Sequence, residues 1–85
     1  MTAKPEQVQG RHLRAARTLL TWTKAQAAEE CGVGVNTIGR FEDGSSGLTP
    51  RTVADIVRAF EANGVMFITT DFGSGVVLKQ EADAE

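Results

Sequence analysis

Cysteine and histidine are almost absent from this 85-residue chain, which contains one residue of each, Cys31 and His12. A single thiol cannot form a disulfide within the chain, and one cysteine with one histidine cannot supply the ligand cluster of a zinc site. The sequence therefore predicts no metal site and no cofactor. Cys31 is expected to be a small buried apolar residue, and His12 to lie on the surface or in helix packing.

Long apolar runs are also missing. No stretch approaches the roughly 20 residues that a membrane-spanning helix needs. The first ten residues, MTAKPEQVQG, lack the apolar centre of a signal peptide. These absences predict a cytoplasmic protein, and the apolar fraction of 41% is that of a chain that folds.

An excess of positive charge, the usual mark of a nucleic-acid-binding domain, is lacking as well, since the net charge is −2. The distribution of charge is uneven, however. Residues 1–60 contain eight Lys and Arg against six Asp and Glu, a net charge of +2, whereas residues 61–85 contain one against five, a net charge of −4. Any phosphate binding would therefore depend on a few cations in the first 60 residues and would weaken with added salt.

A helix-turn-helix pattern occupies residues 23–44. Thr23 can cap the first helix, and Gly32 ends it, because glycine adopts the left-handed conformation without a steric penalty. The second helix is predicted from Gly34 or Val35 to Glu42, with Asp43-Gly44 as its stop signal. The turn between the two helices is too short for the second to continue the line of the first.

The second of these helices is amphipathic. At roughly 100° per residue, Ile38 and Phe41 share one side while Asn36 and Arg40 lie nearly opposite. Asparagine can pair bidentately with adenine, and arginine can pair with guanine or a phosphate. This arrangement is what a helix that enters the major groove of DNA requires.

Five segments in this order and spacing resemble the phage-repressor or Xre class of helix-turn-helix regulators: Leu13-x-x-Ala-Arg-x-x-Leu20, Trp22-Thr-Lys-Ala-Gln-Ala-Ala28, Gly32-Val33, Asn36-Thr-Ile38 and Phe41-Glu-Asp-Gly44. The resemblance covers residues 13–60. It implies a mostly α fold, a lambda-repressor-like bundle of four to five helices, and sequence-specific binding to double-stranded DNA. Members of this class are typically prokaryotic or phage-borne.

The resemblance also implies roles for individual residues. An ion pair between Arg17 and Glu42 would belong to the scaffold. Arg51, near the start of the fourth helix, is a candidate phosphate contact, although a solvated side chain explains it equally well. The other implied DNA-binding positions are Lys24 at the start of the second helix and, in the recognition helix, Val35, Asn36, Thr37 and Arg40.

The chain divides into four predicted segments. Residues 1–6 form a flexible arm, residues 7–64 the DNA-binding domain, residues 65–79 a β-hairpin, and residues 80–85 an acidic, disordered tail. The last helix of the domain is predicted to start at Thr49-Pro50 and to end at Asn63-Gly64. Trp22 could stack on a base, but its place before the cap at Thr23 favours packing in the core.

The hairpin is predicted from two short β-branched runs, residues 65–70 and 76–79, separated by the turn-rich residues 71–75. Apolar residues on both faces and an exposed edge predict that it pairs with a second copy of the chain. The predicted dimerisation residues are Val65, Phe67, Ile68, Val76 and Leu78.

Two functions from different classes fit these observations. The first is a transcriptional regulator, a repressor that binds a palindromic operator as a homodimer through the helix at residues 34–42. The second is a protein-binding module, such as an antitoxin whose hairpin and tail engage a partner protein. An enzyme is not expected, because no nucleophile with a base and no glycine-rich phosphate loop after a strand is found.

Overall fold

The computed structural model describes residues 2–44 and 47–79. Within these residues four α-helices are followed by one antiparallel hairpin, which confirms the predicted fold. A short 3-10 helix precedes α1. The acidic tail predicted at residues 80–85 lies outside the described residues. The elements are the 3-10 helix Pro5–Gln7, α1 Gly10–Leu19, α2 Lys24–Cys31, α3 Val35–Asp43, α4 Pro50–Ala62, β1 Val65–Thr70 and β2 Gly73–Leu78.

The predicted start and stop signals of α2 are confirmed. The Thr23 hydroxyl accepts a hydrogen bond from the Gln26 amide at 3.1 Å, and the Gln26 side chain accepts one from the Thr23 amide at 2.7 Å. Gly32 ends the helix with a φ of 71°. These reciprocal bonds satisfy amide groups that the first turn of a helix leaves without partners, so the start of α2 is fixed locally.

The boundaries of α4 follow the same logic. The Thr49 hydroxyl accepts a hydrogen bond from the Thr52 amide at 3.2 Å, and Pro50 occupies the first helical position, where no amide hydrogen is needed. Asn63 then caps the end of the helix, and Gly64 follows with a φ of 94°. Each end of α4 is therefore where the sequence predicts it.

The core lies between the helices and one face of the hairpin. Phe60, from α4, is fully buried and lies between two other aromatic rings. Its ring centroid is 5.3 Å from that of Trp22 and 6.4 Å from that of Phe67. Trp22 is half-buried and packs against the core, as predicted. The aromatic row thus joins the start of the helix-turn-helix to the hairpin.

Residues 2–3, which belong to the arm predicted at residues 1–6, pair with β1. The Ala3 amide donates a hydrogen bond to the Phe67 carbonyl at 2.7 Å, and Thr2 forms a bridge with Ile68. Ala3 is buried. The outer edge of β1 carries backbone groups that would otherwise lack partners, so pairing with residues 2–3 partly covers that edge.

The turn of the hairpin is shorter than predicted. Thr70 pairs with Gly73, which leaves Asp71 and Phe72 as the two loop residues and places Gly73 to Gly75 in β2. The Thr70 hydroxyl accepts hydrogen bonds from the amides of Phe72 and Gly73 at 3.1 and 3.2 Å. Composition predicts a turn that includes the glycines at 73 and 75. The hydrogen bonds to the Thr70 hydroxyl instead limit the turn to two residues.

The hairpin register divides the predicted dimerisation residues between two faces. Residues that are directly paired across a hairpin lie on the same face, and successive residues alternate between faces. The inner face, against the helices, includes Val65 and Phe67, which are each 1% exposed. The outer face carries Met66, Ile68 and Val77. Of the five predicted residues only Ile68 is on the outer face, since Val65, Phe67, Val76 and Leu78 are on the inner one.

His12 connects α1 to β2, a contact that the sequence does not indicate. Its Nδ1 accepts a hydrogen bond from the Gln9 amide at 2.9 Å, and its Nε2 lies 2.8 Å from the Ser74 hydroxyl. The neutral ring must therefore carry its proton on Nε2 and donate it to Ser74. Burial lowers the pKa of His12, and the charge of Arg11 lowers it further, so the neutral form is favoured.

Candidate nucleic-acid interface

The corner between α2 and α3 sets the direction of α3. The Gly32 amide donates to the Glu29 carbonyl at 3.3 Å, and the Val33 amide donates to the Ala28 carbonyl at 3.1 Å. Ala28 is 6% exposed. A small residue on α2 lets α3 pack closely across it, so the pair presents one side of α3 to solvent.

The buried side of α3 is the apolar one. Ile38 is 0% exposed and Phe41 is 5% exposed, and both belong to the core. Thr37 is half-buried, and its amide donates to the Gly34 carbonyl at 3.0 Å in the first turn. Thr37 therefore lies at the margin of the helix rather than on its exposed side.

The exposed side of α3 contains three of the four predicted recognition-helix positions. Val35 is 47% exposed, and Asn36 and Arg40 are also exposed. Asp43 is exposed too and lies two turns beyond Val35 on the same side. Gly39 falls between them. Gly39 and Asp43 are not among the predicted DNA-binding positions, although their i+4 and i+8 spacing from Val35 places them on this side of the helix.

Two further predicted cations lie at helix starts. Lys24 is the first residue of α2, Arg51 is the second residue of α4, and both are exposed. Within residues 2–44 and 47–79, the side chains of Lys24, Arg40 and Arg51 form no ion pair. Because a helix start carries a partial positive charge, each of these side chains adds to a local field that attracts phosphate.

Arg17 and Glu42 form the ion pair that the resemblance implies. Arg17 Nε is 2.7 Å from Glu42 Oε2, and its terminal nitrogen is 3.0 Å from Oε1, a bidentate arrangement. The Glu42 side chain is only 2% exposed. Hydrogen bonding to Glu42 raises the pKa of Arg17. Another Arg17 nitrogen donates to the Trp22 carbonyl at 3.1 Å, so one guanidinium connects α1, the α1–α2 loop and α3.

Cys31 is half-buried on α2 and takes no part in this face. Its Sγ lies 3.9 Å from the Ile56 carbonyl oxygen. Burial, assisted by the charge of Glu30, raises the pKa of the thiol to about 11. A thiol with this pKa is protonated at neutral pH and is a poor nucleophile.

A groove of about 990 Å³ lies between residues 5–11, the end of α3 and the start of α4. Its floor is largely apolar, with Val8, Phe41 and Val53 among the lining residues. The ionisable side chains that line it are Glu6, Arg11, Glu42 and Asp43. Its described lining contains no cysteine, histidine or serine, and thus no nucleophile paired with a base.

No helix within residues 2–44 and 47–79 is long and apolar enough to cross a membrane. In the same part of the chain, no group of three or more His, Cys, Asp and Glu side chains is placed to hold a metal ion.

Residues 10–67 match a protein-family model that is described as a helix-turn-helix domain. The matched range runs from the first residue of α1 to the middle of β1, and so includes all of α2, the corner and α3. It covers well over half of the chain. No curated protein matches the chain.

Proposed function

We propose that this chain, which belongs to the Xre-type helix-turn-helix family, is a sequence-specific DNA-binding transcriptional regulator. It acts as a repressor and binds a palindromic operator. The observation that carries this proposal is the exposed side of α3, where Asn36 and Arg40 stand one turn apart and their side chains have no hydrogen-bond or ion-pair partner within the described residues. Amide and guanidinium groups free to face solvent are the groups that read adenine and guanine in the major groove. A repressor of this prokaryotic or phage type acts in the cytoplasm, where its operator lies.

The exposed residues divide between base reading and positioning. Asn36 and Arg40 read bases, and Val35 contacts a thymine methyl group. Lys24 and Arg51, at the starts of α2 and α4, bind phosphates and fix the register of the domain on the duplex. Thr37, being half-buried, contributes less than these and reaches only the edge of the contact.

The modest positive charge of residues 1–60 limits how much of the affinity is electrostatic. With a net charge of +2 in that range and −4 in residues 61–85, binding rests on a few well-placed cations. Each cation that neutralises a phosphate adds a little less than one unit to the slope of log affinity against log salt concentration. Few contacts therefore mean a shallow slope and low affinity for arbitrary DNA.

The test is selection from a pool of random duplexes, followed by binding measurements on the selected site. Arg40→Ala or Asn36→Ala is expected to cost about 1 to 3 kcal/mol on that site and to relax preference at one base pair, because each removes a base contact. Lys24→Ala is expected to weaken binding to all sequences similarly and to lower the salt slope by about one.

Arg58→Ala is the matched control. Arg58 is an exposed arginine that already pairs with Asp55 on α4, and its side chain is 67% exposed. Its removal is expected to leave base preference unchanged. Equal losses on every sequence for Arg40→Ala, Asn36→Ala and Lys24→Ala would contradict the roles assigned here, and failure to select any site would contradict the proposed function.

We also propose that the protein binds its operator as a homodimer through the outer face of the hairpin. This face carries Met66, Ile68 and Val77, and Phe72 at the tip is fully exposed. A two-stranded ribbon with apolar groups on its outer face gains stability when a second copy covers them. A symmetric pair would place two α3 helices in successive major grooves, roughly 34 Å apart.

Val77→Lys tests the dimer without removing the hairpin, which cannot be deleted because Val65 and Phe67 belong to the core. Val77 is 44% exposed, so the lysine is expected to leave the fold intact while placing a charge in the contact. Analytical ultracentrifugation at micromolar concentration should then show a monomer, whereas Val77→Thr should remain dimeric. A wild-type monomer, or a dimer that persists in Val77→Lys, would rule out this interface.

The same outer face favours a second candidate, a protein-binding module such as an antitoxin. A fully exposed phenylalanine at a hairpin tip can insert into a pocket of a partner protein as well as into a second copy. A stable complex with the product of a neighbouring gene, lost in Phe72→Ser, would support this candidate. The two functions are compatible, since an antitoxin of this class can also repress its own operon.

A further inference from the structure

Gly39 is the middle residue of α3 and is half-buried, and it lies between the exposed residues Val35, one turn before it, and Asp43, one turn after it. Glycine inside a helix is destabilising relative to alanine, because it loses more backbone freedom on folding. A helix of nine residues has few turns over which to absorb that cost. The position therefore calls for a physical reason.

The fold itself supplies no such reason. A Cβ built on Gly39 would have no atom outside its immediate helix backbone within 4 Å, so a methyl group fits without contact. Gly39 is also absent from the glycines with positive φ, unlike Gly32 and Gly44. Neither packing nor backbone conformation requires glycine here.

At Gly10, in contrast, the packing of the fold does require glycine. A Cβ built on Gly10 would lie 2.5 Å from the carbonyl oxygen of Glu42 and closer still to that of Phe41. Both are backbone atoms, which cannot move aside as a flexible side chain can. Gly10 is thus explained by the close approach of α1 to the end of α3, and the chain offers a direct contrast with Gly39.

We propose that Gly39 is a positioning residue for DNA, and that its missing side chain lets the backbone of the recognition helix approach the base edges. This inference rests on the proposed function. Glycine is the residue that permits a backbone to come close to a ligand. The close approach matters most for Asn36, whose side chain is short, because bidentate pairing with adenine needs the helix deep in the groove. Arg40 is longer and can span a larger gap.

The experiment compares Gly39→Ala with the wild-type protein on the duplex that the wild type selects from a random pool. The midpoint of thermal unfolding is expected to rise by about 2–8 °C, because alanine is the better helix former. Affinity for the selected duplex is expected to fall about ten- to hundredfold, because the methyl group overpacks the contact. Repeating the selection with Gly39→Ala should lose preference chiefly at the base pair matched to Asn36.

Ala62→Ser serves as the control, since it adds one heavy atom to an exposed position at the end of α4, and it should change neither affinity nor base preference. A structural role would lower stability and affinity together, whereas the positioning role separates them. Undiminished affinity of Gly39→Ala, or a lowered unfolding midpoint, would overturn the inference and leave the proposed function standing. Failure of the wild-type protein to select any duplex would overturn both.

Discussion

Replacement of Arg17 by methionine is expected to lower the free energy of unfolding by about 3–5 kcal/mol, because it leaves a buried carboxylate without its partner. The Glu42 side chain is 2% exposed and accepts two hydrogen bonds from Arg17, at 2.7 and 3.0 Å. Methionine retains much of the apolar bulk of arginine, so the loss comes from the charge and the hydrogen bonds. Urea unfolding followed by circular dichroism measures the change.

Arg14→Met is the matched control for this prediction. Arg14 is also on α1 and also approaches Glu42, but at 4.0 Å and with 70% of its side chain exposed. Exposed ion pairs contribute about 0–1 kcal/mol, so the control should lose little. Equal losses for Arg14→Met and Arg17→Met would show that the Arg17–Glu42 pair is not a buried connection between α1 and α3.

The double variant Arg17→Met/Glu42→Leu separates the cost of an unpaired charge from the worth of the pair. Replacing both members of a buried pair by apolar residues is often neutral or stabilising. The double variant is therefore expected to recover most of the stability that Arg17→Met loses. Some deficit should persist, since Arg17 also donates to the Trp22 carbonyl at 3.1 Å and methionine cannot.

The helix boundaries could be predicted from the sequence because the signals that set them act over a few residues. The Thr23 cap, the Gly32 stop and the Thr49-Pro50 start each depend on hydrogen bonds or backbone angles within one turn. The exposed face of α3 could be predicted for a similar reason, since the helical period alone separates Asn36 and Arg40 from Ile38 and Phe41.

Contacts between distant residues could not be predicted in this way. His12 and Ser74 are 62 positions apart, and nothing near either residue indicates the other. The pairing of Ala3 with Phe67 likewise depends on where the hairpin edge lies in the folded chain. Alternation along a strand defines two faces but does not say which of them packs against the helices. Most of the predicted dimerisation residues therefore lie on the inner face of the hairpin.

Gly39 is not predicted from the sequence because a DNA-binding position is recognised by the chemistry of its side chain, and glycine has none. A signal was nevertheless present, since a glycine inside an amphipathic helix and on its polar face is costly for the helix. A Cβ at Gly39 would contact nothing, whereas a Cβ at Gly10 would collide with backbone atoms. Only the structure shows this difference, and with it that packing does not require a glycine at position 39.

Replacement of Phe60 by alanine is expected to lower the free energy of unfolding by about 3–5 kcal/mol. Phe60 is 0% exposed, and its ring lies between those of Trp22 and Phe67. Alanine would remove contacts on both sides and leave a cavity that neither the α1–α2 loop nor β1 can fill without moving. Urea unfolding measures the loss, and Trp22 fluorescence, as the signal from the adjacent ring, should report loosened packing in the folded variant.

Phe72→Ala is the control when both variants are measured in the Val77→Lys background, which is expected to be monomeric. It removes the same side chain from a position that is 101% exposed, and surface changes of this kind usually stay within about 0.5 kcal/mol. The free energy of unfolding of a domain of this size is about 5–15 kcal/mol, so Phe60→Ala would remove a large part of it. The helix-turn-helix and the hairpin should unfold together in the wild-type protein because one ring contacts both. If Phe60→Ala lost no more stability than Phe72→Ala, the aromatic row would not be what joins the helix-turn-helix to the hairpin.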